Sequence, residues 1–233
     1  SGGMTQALNN VALVNVQGGH NSGTLTFQTG TLDATSGTGL QFNNADGAYN
    51  FNCTTTLHGG DAGVDIVNGS GGSFVFGTGT TITSPSGTAF NMDSSSAGVT
   101  FSGNISQASN AALVGISNET GGTVTFQTGT LSATNGTGIQ LSNADNTINF
   151  NGTTTLNGGD AGIDIVSGSS GTITFGTGTT VTNPTGLPYN EDTSTANVTF
   201  NGSITKTSSS NSAININAKT GGTTSFNGLV TAT

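Results

Sequence analysis

Phenylalanine recurs in this sequence at an almost constant interval, and that interval constrains the fold more than any other feature. Phe27, Phe51, Phe76, Phe101, Phe126, Phe150, Phe175, Phe200 and Phe226 are spaced by 24, 25, 25, 25, 24, 25, 25 and 26 residues, and they are nine of the twelve phenylalanines. A fixed period of this length marks a repeat architecture: each unit has too little apolar surface to fold alone and buries it by stacking on its neighbours. Two residues before each Phe stands a second apolar side chain: Leu25, Tyr49, Phe74, Val99, Val124, Ile148, Ile173 and Val198, with Thr224 as the exception. Thr, Ser and Asn fill the positions between. This is period-two alternation, so each motif predicts a short strand with one buried face.

Two further strands follow in each period. Four to six residues after the Phe comes a lone apolar residue, Leu32, Leu57, Ile82, Ile105, Leu131, Leu156, Val181, Ile204 or Val230, which predicts a second short strand. A third is marked by apolar pairs such as Leu40/Phe42, Val64/Ile66, Phe90/Met92, Val114/Ile116, Ile139/Leu141, Ile163/Ile165 and Ile214/Ile216, with Val14/Val16 in an incomplete first coil. Tyr189/Glu191 breaks the pairing, and the expectation there is a local distortion or an exposed edge. Between the pairs runs an outward row: Asn15, Gln41, Asp65, Asn91, Gly115, Gln140, Asp164, Asn190 and Asn215. The fold class expected is therefore all-β: a parallel β-helix, or β-solenoid, right-handed, of about nine coils of about 25 residues with three short strands each. Strands about 4.8 Å apart give such a rod a length of roughly 40–45 Å. Gly and Asn are expected at its corners.

A longer period overlies the coil. Phe27 to Phe126, Phe51 to Phe150, Phe76 to Phe175 and Phe101 to Phe200 are each 99 residues apart. The intervals from Phe to the second-strand residue run 5, 6, 6, 4 and then repeat. The chain thus reads as one solenoid segment, 1–233, built of duplicated four-coil blocks at approximately 12–110 and 111–211, with a third begun at 212–233. No capping helix is apparent at either end, so further solenoid coils of the same or a like chain are expected there as partners. An excerpt of a longer protein is preferred to a subunit that stacks on its neighbours.

Composition narrows the function classes. The chain is 31% hydrophobic and 6% charged, with 39 Gly, 2 Lys, no Arg and 11 acidic residues, for a net charge of -9. Phosphate recognition needs Lys and Arg to displace counterions, so no nucleic-acid partner is expected. Anionic membranes are disfavoured for the same reason, and no apolar run is long enough for a transmembrane segment. Cys53 is the single cysteine, and its counterpart 99 residues on is Gly152. It reads as a small filler rather than a reactive group.

Little in the sequence carries chemistry. The repeated acidic motif is GGDAGVDIV (Gly59–Val67) and GGDAGIDIV (Gly158–Val166). It resembles a calcium-binding nonapeptide with one extra residue, so Asp61, Asp65, Asp160 and Asp164 are weak calcium candidates. Against this, Asp65 and Asp164 already have places on the outward row, and no metal or cofactor is assigned. A glycosidase needs two carboxylates facing each other across a groove. Here the acids are thinly spread, with Asp192 beside Glu191 the densest spot and Asp93 alone at the matching position. His20 and His58 do not recur. A carbohydrate-active β-helix enzyme is therefore an alternative ranked below a structural role, and no catalytic residue is assigned. Outward Thr pairs at Thr24/Thr26, Thr123/Thr125, Thr172/Thr174 and Thr223/Ser225 suggest an ice-binding solenoid. That array is interrupted at Asn50, Val75, Gly98 and Asn149, which ranks this reading low as well.

The recurring Gly-Thr-apolar-Thr-Phe rhythm, as in Gly23–Phe27, Gly122–Phe126 and Gly171–Phe175, is similar to the repeat style of bacterial surface solenoids. These are autotransporter passengers and filamentous-haemagglutinin-like exoproteins. The resemblance implies a secreted, extracellular or cell-surface protein that acts as a stalk, adhesin or extracellular filament. Its implied partners are host-cell or surface glycans or proteins.

Overall fold

A computed structural model describes residues 2–207 and 211–233. All of its regular structure is β, and the 28 strands fall into three parallel sheets of ten, nine and nine strands. Sheet A runs from Gly3–Gln6 to Val230–Ala232, sheet B from Ala12–His20 to Ile214–Asn217, and sheet C from Thr24–Phe27 to Thr224–Phe226. Each strand pairs with the strands one coil before and after it, so consecutive coils of about 25 residues stack into the expected β-solenoid. The architecture is that of a structural repeat rod.

The Phe row is the spine of sheet C. Phe27, Phe51, Phe76 and Phe101 are register partners in succession, as are Phe126, Phe150, Phe175, Phe200 and Phe226. Phe126 and Phe150 lie with ring centroids 4.9 Å apart at 7°, and Phe150 and Phe175 4.8 Å apart at 5°. The strand spacing imposes this parallel stacking, because rings with identical rotamers repeat at the interval of the backbone. Beside the sheet-B ring of Phe90 the stack tilts. Phe90 meets Phe101 and Phe126 edge-on, and those two rings are 51° apart.

Sheet A departs from the reading of one lone apolar residue per strand. Its strands carry two inward positions. The second is filled by Ala34, Thr55, Thr80, Gln107, Ala133, Thr154, Thr179 and Lys206, all buried. The register explains the 5, 6, 6, 4 intervals: Ile82 pairs with Ile105, although they lie six and four residues beyond their Phe. Each fourth coil therefore enters sheet A two residues early and extends one inward position further.

The corner after each sheet-B strand is left-handed. Asn44, Asn68, Ser94, Asn118, Asn143, Ser167, Thr193 and Ala218 all have φ between 48° and 58°. Asn suits this conformation because its side chain bonds locally. In addition, Asn118 Nδ2 reaches the coil before it and donates to Asp93 Oδ1 at 2.8 Å. Thr193, which is β-branched, is the least suited occupant.

Glu191 corrects the sequence reading. It sits neither at a distortion nor at an exposed edge: the strand Tyr189–Asp192 pairs in register with Ile163–Ile165 and with Ile214–Asn217, and Glu191 is 0% exposed. A buried carboxylate is tolerated there because it is neutralised and fully bonded. Lys219 Nζ donates to Oε1 at 2.6 Å, Ser194 Oγ to Oε1 at 2.9 Å, Thr224 Oγ1 to Oε2 at 2.6 Å and Tyr189 Oη to Oε2 at 3.1 Å.

Candidate functional site

The three sheets give the rod three walls of different chemistry. The outward face of sheet B is an amide and carboxylate wall whose groups bond one another. Gln41 Nε2 donates to Asp65 Oδ2 at 2.6 Å, and Asn91 Nδ2 donates to Asp65 Oδ1 at 2.9 Å. The next block repeats this: Gln140 and Asn190 donate to the two oxygens of Asp164 at 2.7 and 2.9 Å, and Asn215 extends the row to Asn190 at 2.8 Å. Burial pushes the Asp65 carboxyl up, an effect that the bonds from Asn91 and Gln41 oppose and the nearby charge of Asp61 reinforces. Asp93 on the same wall is held below the ordinary value by bonds from Asn118, Ser117 and Ser94, against its partial burial.

The calcium candidates are thus placed on this wall and its edge. Both oxygens of Asp65 and of Asp164 are engaged by amides. Asp61 Oδ1 accepts from Gly87 N at 2.8 Å. Asp160 lies over Gly186, where an added Cβ would stand 1.8 Å from Oδ1. Among the described residues no group of three or more His, Cys, Asp or Glu is placed to hold a metal ion. Two polar hollows of about 250 and 300 Å³ lie beside the first coil. Asn15, Gln41 and Asn43 line one, and Asn9, Ser36 and Asp61 the other, so neither brings two carboxylates face to face. Cys53 is buried and free, with Sγ 3.7 Å from Thr55 Oγ1.

Sheet A presents hydroxyls instead. Its register stacks His58, Thr83, Ser106, Ser132, Thr155, Thr180 and Ser203 in one outward column, and Asn157, Thr182, Thr205 and Thr231 in the next. Among the described residues, the ionisable side chains that face outward on this wall are Asp33 and His58, which meet at 3.3 Å. Sheet C carries the outward Thr pairs, interrupted at Asn50, Val75, Gly98 and Asn149 as read from the sequence and also at Ala48.

The interior holds polar residues that sequence reasoning did not single out. The corner at the end of sheet B carries Ala45, Ser70 and Ser95 in the first block and Ala144, Ser169 and Ser194 in the second, with matching bonds such as Ser70 Oγ to Val67 O and Ser169 Oγ to Val166 O, both 2.8 Å. The fourth coil places a large titratable residue in this row: His20, then Glu119, then Lys219. Register partners Ala45 and Ala144 fix the first two, and the bonds Thr120 N to Ser95 O and Thr220 N to Ser194 O fix the equivalence of the last two. Each makes a different contact. His20 Nδ1 meets Tyr49 Oη at 2.7 Å, and Lys219 meets Glu191. Glu119, 0% exposed, accepts from Ser95 N at 3.2 Å, and its Oε2 has no hydrogen-bond partner among the described residues. Burial pushes the Glu119 carboxyl up to about 8, so it is held as the neutral acid at pH 7. The signal in the sequence is the block offset, 99 residues from His20 to Glu119 and 100 from Glu119 to Lys219, applied to positions that do not match.

A second buried slot follows the same logic. Gln107 Nε2 donates to Gly87 O at 2.9 Å, and its Oε1 accepts from Ser109 N at 3.0 Å. One block on, Lys206 Nζ donates to Pro184 O and to Gly186 O, the latter at 2.8 Å. Both side chains tie the loop that enters sheet B to the interior.

Comparison with protein-family models, curated proteins and solved structures finds no match to this chain. Among the described residues, no helix is long and apolar enough to cross a membrane.

Proposed function

We propose that this chain is a rigid rod segment of a secreted or cell-surface protein, serving as a stalk or as the shaft of an adhesin. The observation that carries the reading is the continuity of the three parallel sheets around one dry aromatic core. Bending such a rod would open backbone ladders on one side and crush stacked rings on the other. Stiffness and reach therefore come from the fold itself, and the exterior is left free to vary. The Gly-Thr-apolar-Thr-Phe rhythm shared with bacterial surface solenoids supports an extracellular location, and the polar walls suit contact with glycans or proteins of another surface.

Antibodies against the folded chain, applied to intact and to lysed source cells, test this. Labelling of intact cells, lost on brief external proteolysis, is the expected result. Labelling confined to lysed cells would overturn the surface role. Electron microscopy of the purified chain separates the filament reading, which requires end-to-end polymers rather than single short rods.

A further inference from the structure

The two polar hollows flank Asn10, just before the first strand of sheet B. One, of about 250 Å³, lies on the outward face of that sheet, over the neighbouring columns Asn15–Gln41–Asp65 and Gln17–Asn43–Val67. The other, of about 300 Å³, lies at the corner before the sheet. Elsewhere on this wall the amides are engaged: Asn91, Gln140, Asn190 and Asn215 each donate along it. Gln41 is held in the same way, its nitrogen donating to Thr38 O and to Asp65 Oδ2, both at 2.6 Å, which leaves Oε1 as a fixed acceptor. The side chains of Asn10, Asn15, Gln17 and Asn43 differ. Among the described residues, no hydrogen bond within the protein engages them, so they line the first hollow with unpaired donors and acceptors.

The duplication shows that the fold does not require these amides. The second block repeats the scaffold, with Gln140 Nε2 bonded to Thr137 O and to Asp164 Oδ2. Its register puts Gly115 beside Gln140 and Ser117 beside Ser142, where the first block has Asn15 beside Gln41 and Gln17 beside Asn43.

We propose that the first hollow binds one unit of a neutral saccharide, with the next unit crossing Asn10 into the second. Both volumes stand at or below the lower end of the usual range for small-molecule sites, about 300 Å³, so each takes a single ring. A side-chain amide offers a donor and an acceptor side by side, which adjacent ring hydroxyls match. Ala12 and Val67 supply apolar patches for the C–H face of a ring. An acidic sugar or a phosphate would need a cation, and Lys206 and Lys219 are engaged elsewhere. Asp61 and Asp65 would repel it. A peptide would need a deeper apolar or aromatic anchor. One such site is weak, with a Kd on the order of 1 mM, and gains avidity when many rods stand on one surface. The inference deepens the surface-rod reading and rests on it for a glycan within reach.

The test is nuclear magnetic resonance of the nitrogen-labelled full chain, titrated with lactose, maltose and diacetylchitobiose, and with N-acetylneuraminic acid as the acidic comparison. Saturable shifts of the Asn10, Asn15, Gln17 and Asn43 side-chain amides are expected with at least one neutral disaccharide and not with the acid. Asn15→Gly with Gln17→Ser and Asn43→Ser, the residues of the second block, should weaken binding about tenfold or more through three lost hydrogen bonds. Asn50→Ser on sheet C should leave it unchanged. Circular dichroism verifies each fold, and Gln17→Ser alone replaces the triple variant if that one does not fold. No saturable shift with any of the three disaccharides, equal affinity after the substitutions in the hollow, or preference for the acidic sugar would overturn the proposal. The purified chain is used throughout, so failure here leaves the labelling of intact cells, and with it the surface role, untouched.

Discussion

Replacing Glu119 by Gln should stabilise the rod, and by an amount that depends on pH. The carboxyl ionises at 4.5 in its ordinary setting and at about 8 in the fold, because burial removes the water that would solvate its charge. Between these values the folded chain holds a proton that the unfolded chain has released. Stability contributed by this group is therefore complete below about pH 4.5, falls as pH rises, and levels off above about 8. At about 1.4 kcal/mol for each pKa unit, the full excursion is on the order of 4–5 kcal/mol. Relaxation and water entry at the corner bring this to about 2–4 kcal/mol. Gln keeps the size of the side chain and the acceptor for Ser95 N, but binds no proton.

Urea titrations of the two proteins, followed by circular dichroism at pH 5, 7 and 9, read the difference directly. All other titrating groups cancel in the comparison. The gap should be near zero at pH 5 and reach about 2–4 kcal/mol at pH 9. Because a solenoid can open locally, hydrogen exchange in the strands Ala112–Glu119 and Gly138–Ala144 should show the same trend. Equal pH slopes for the two proteins would refute the idea that Glu119 is buried as a neutral acid.

Three other outcomes follow from the interior. Phe150→Ala, in the best-aligned part of the stack, should cost about 3–5 kcal/mol, measured by the same titrations. Lys219→Met should cost a similar 3–5 kcal/mol by leaving Glu191 charged and unpaired; adding Glu191→Met, the residue type found at Met92, should recover most of it. Thr193→Asn should raise the melting temperature, by a gain of up to about 1 kcal/mol, since Asn occupies the same left-handed corner at four other coils.

The strands were legible because each has a buried face with a period of two and each coil repeats the same Phe. The sites of Leu25, Tyr49 and their successors followed from alternation alone. The second inward position of sheet A was not legible, because Thr55, Thr80, Gln107 and Lys206 look like surface residues in a polar sequence. Their burial is decided by the two-residue shift of each fourth coil, a tertiary register that no local pattern states. Glu191 was misread for a related reason: its charge is balanced by Lys219, 28 residues away. The chemistry of the walls was half visible. The sheet-B row was evident from its Asn, Gln and Asp, and the outward Thr of sheet C from the Phe motif, whereas the hydroxyl column of sheet A was not, because only the register aligns Thr83, Ser106, Ser132, Thr155 and Thr180.

The separation of the walls gives the rod a sense of roll as well as a direction. Asp46, Asp61, Asp65, Asp93 and their counterparts Asp145, Asp160, Asp164 and Asp192 all lie on sheet B or at its two corners. In a crowded layer, neighbouring rods closer than about 8–10 Å feel that charge before they touch. They lower their repulsion by rotating these flanks apart, toward open water. Side-by-side packing would then fall to sheets A and C, where Asp33 is the one outward carboxylate among the described residues, so a few carboxylates would bias how neighbouring rods turn.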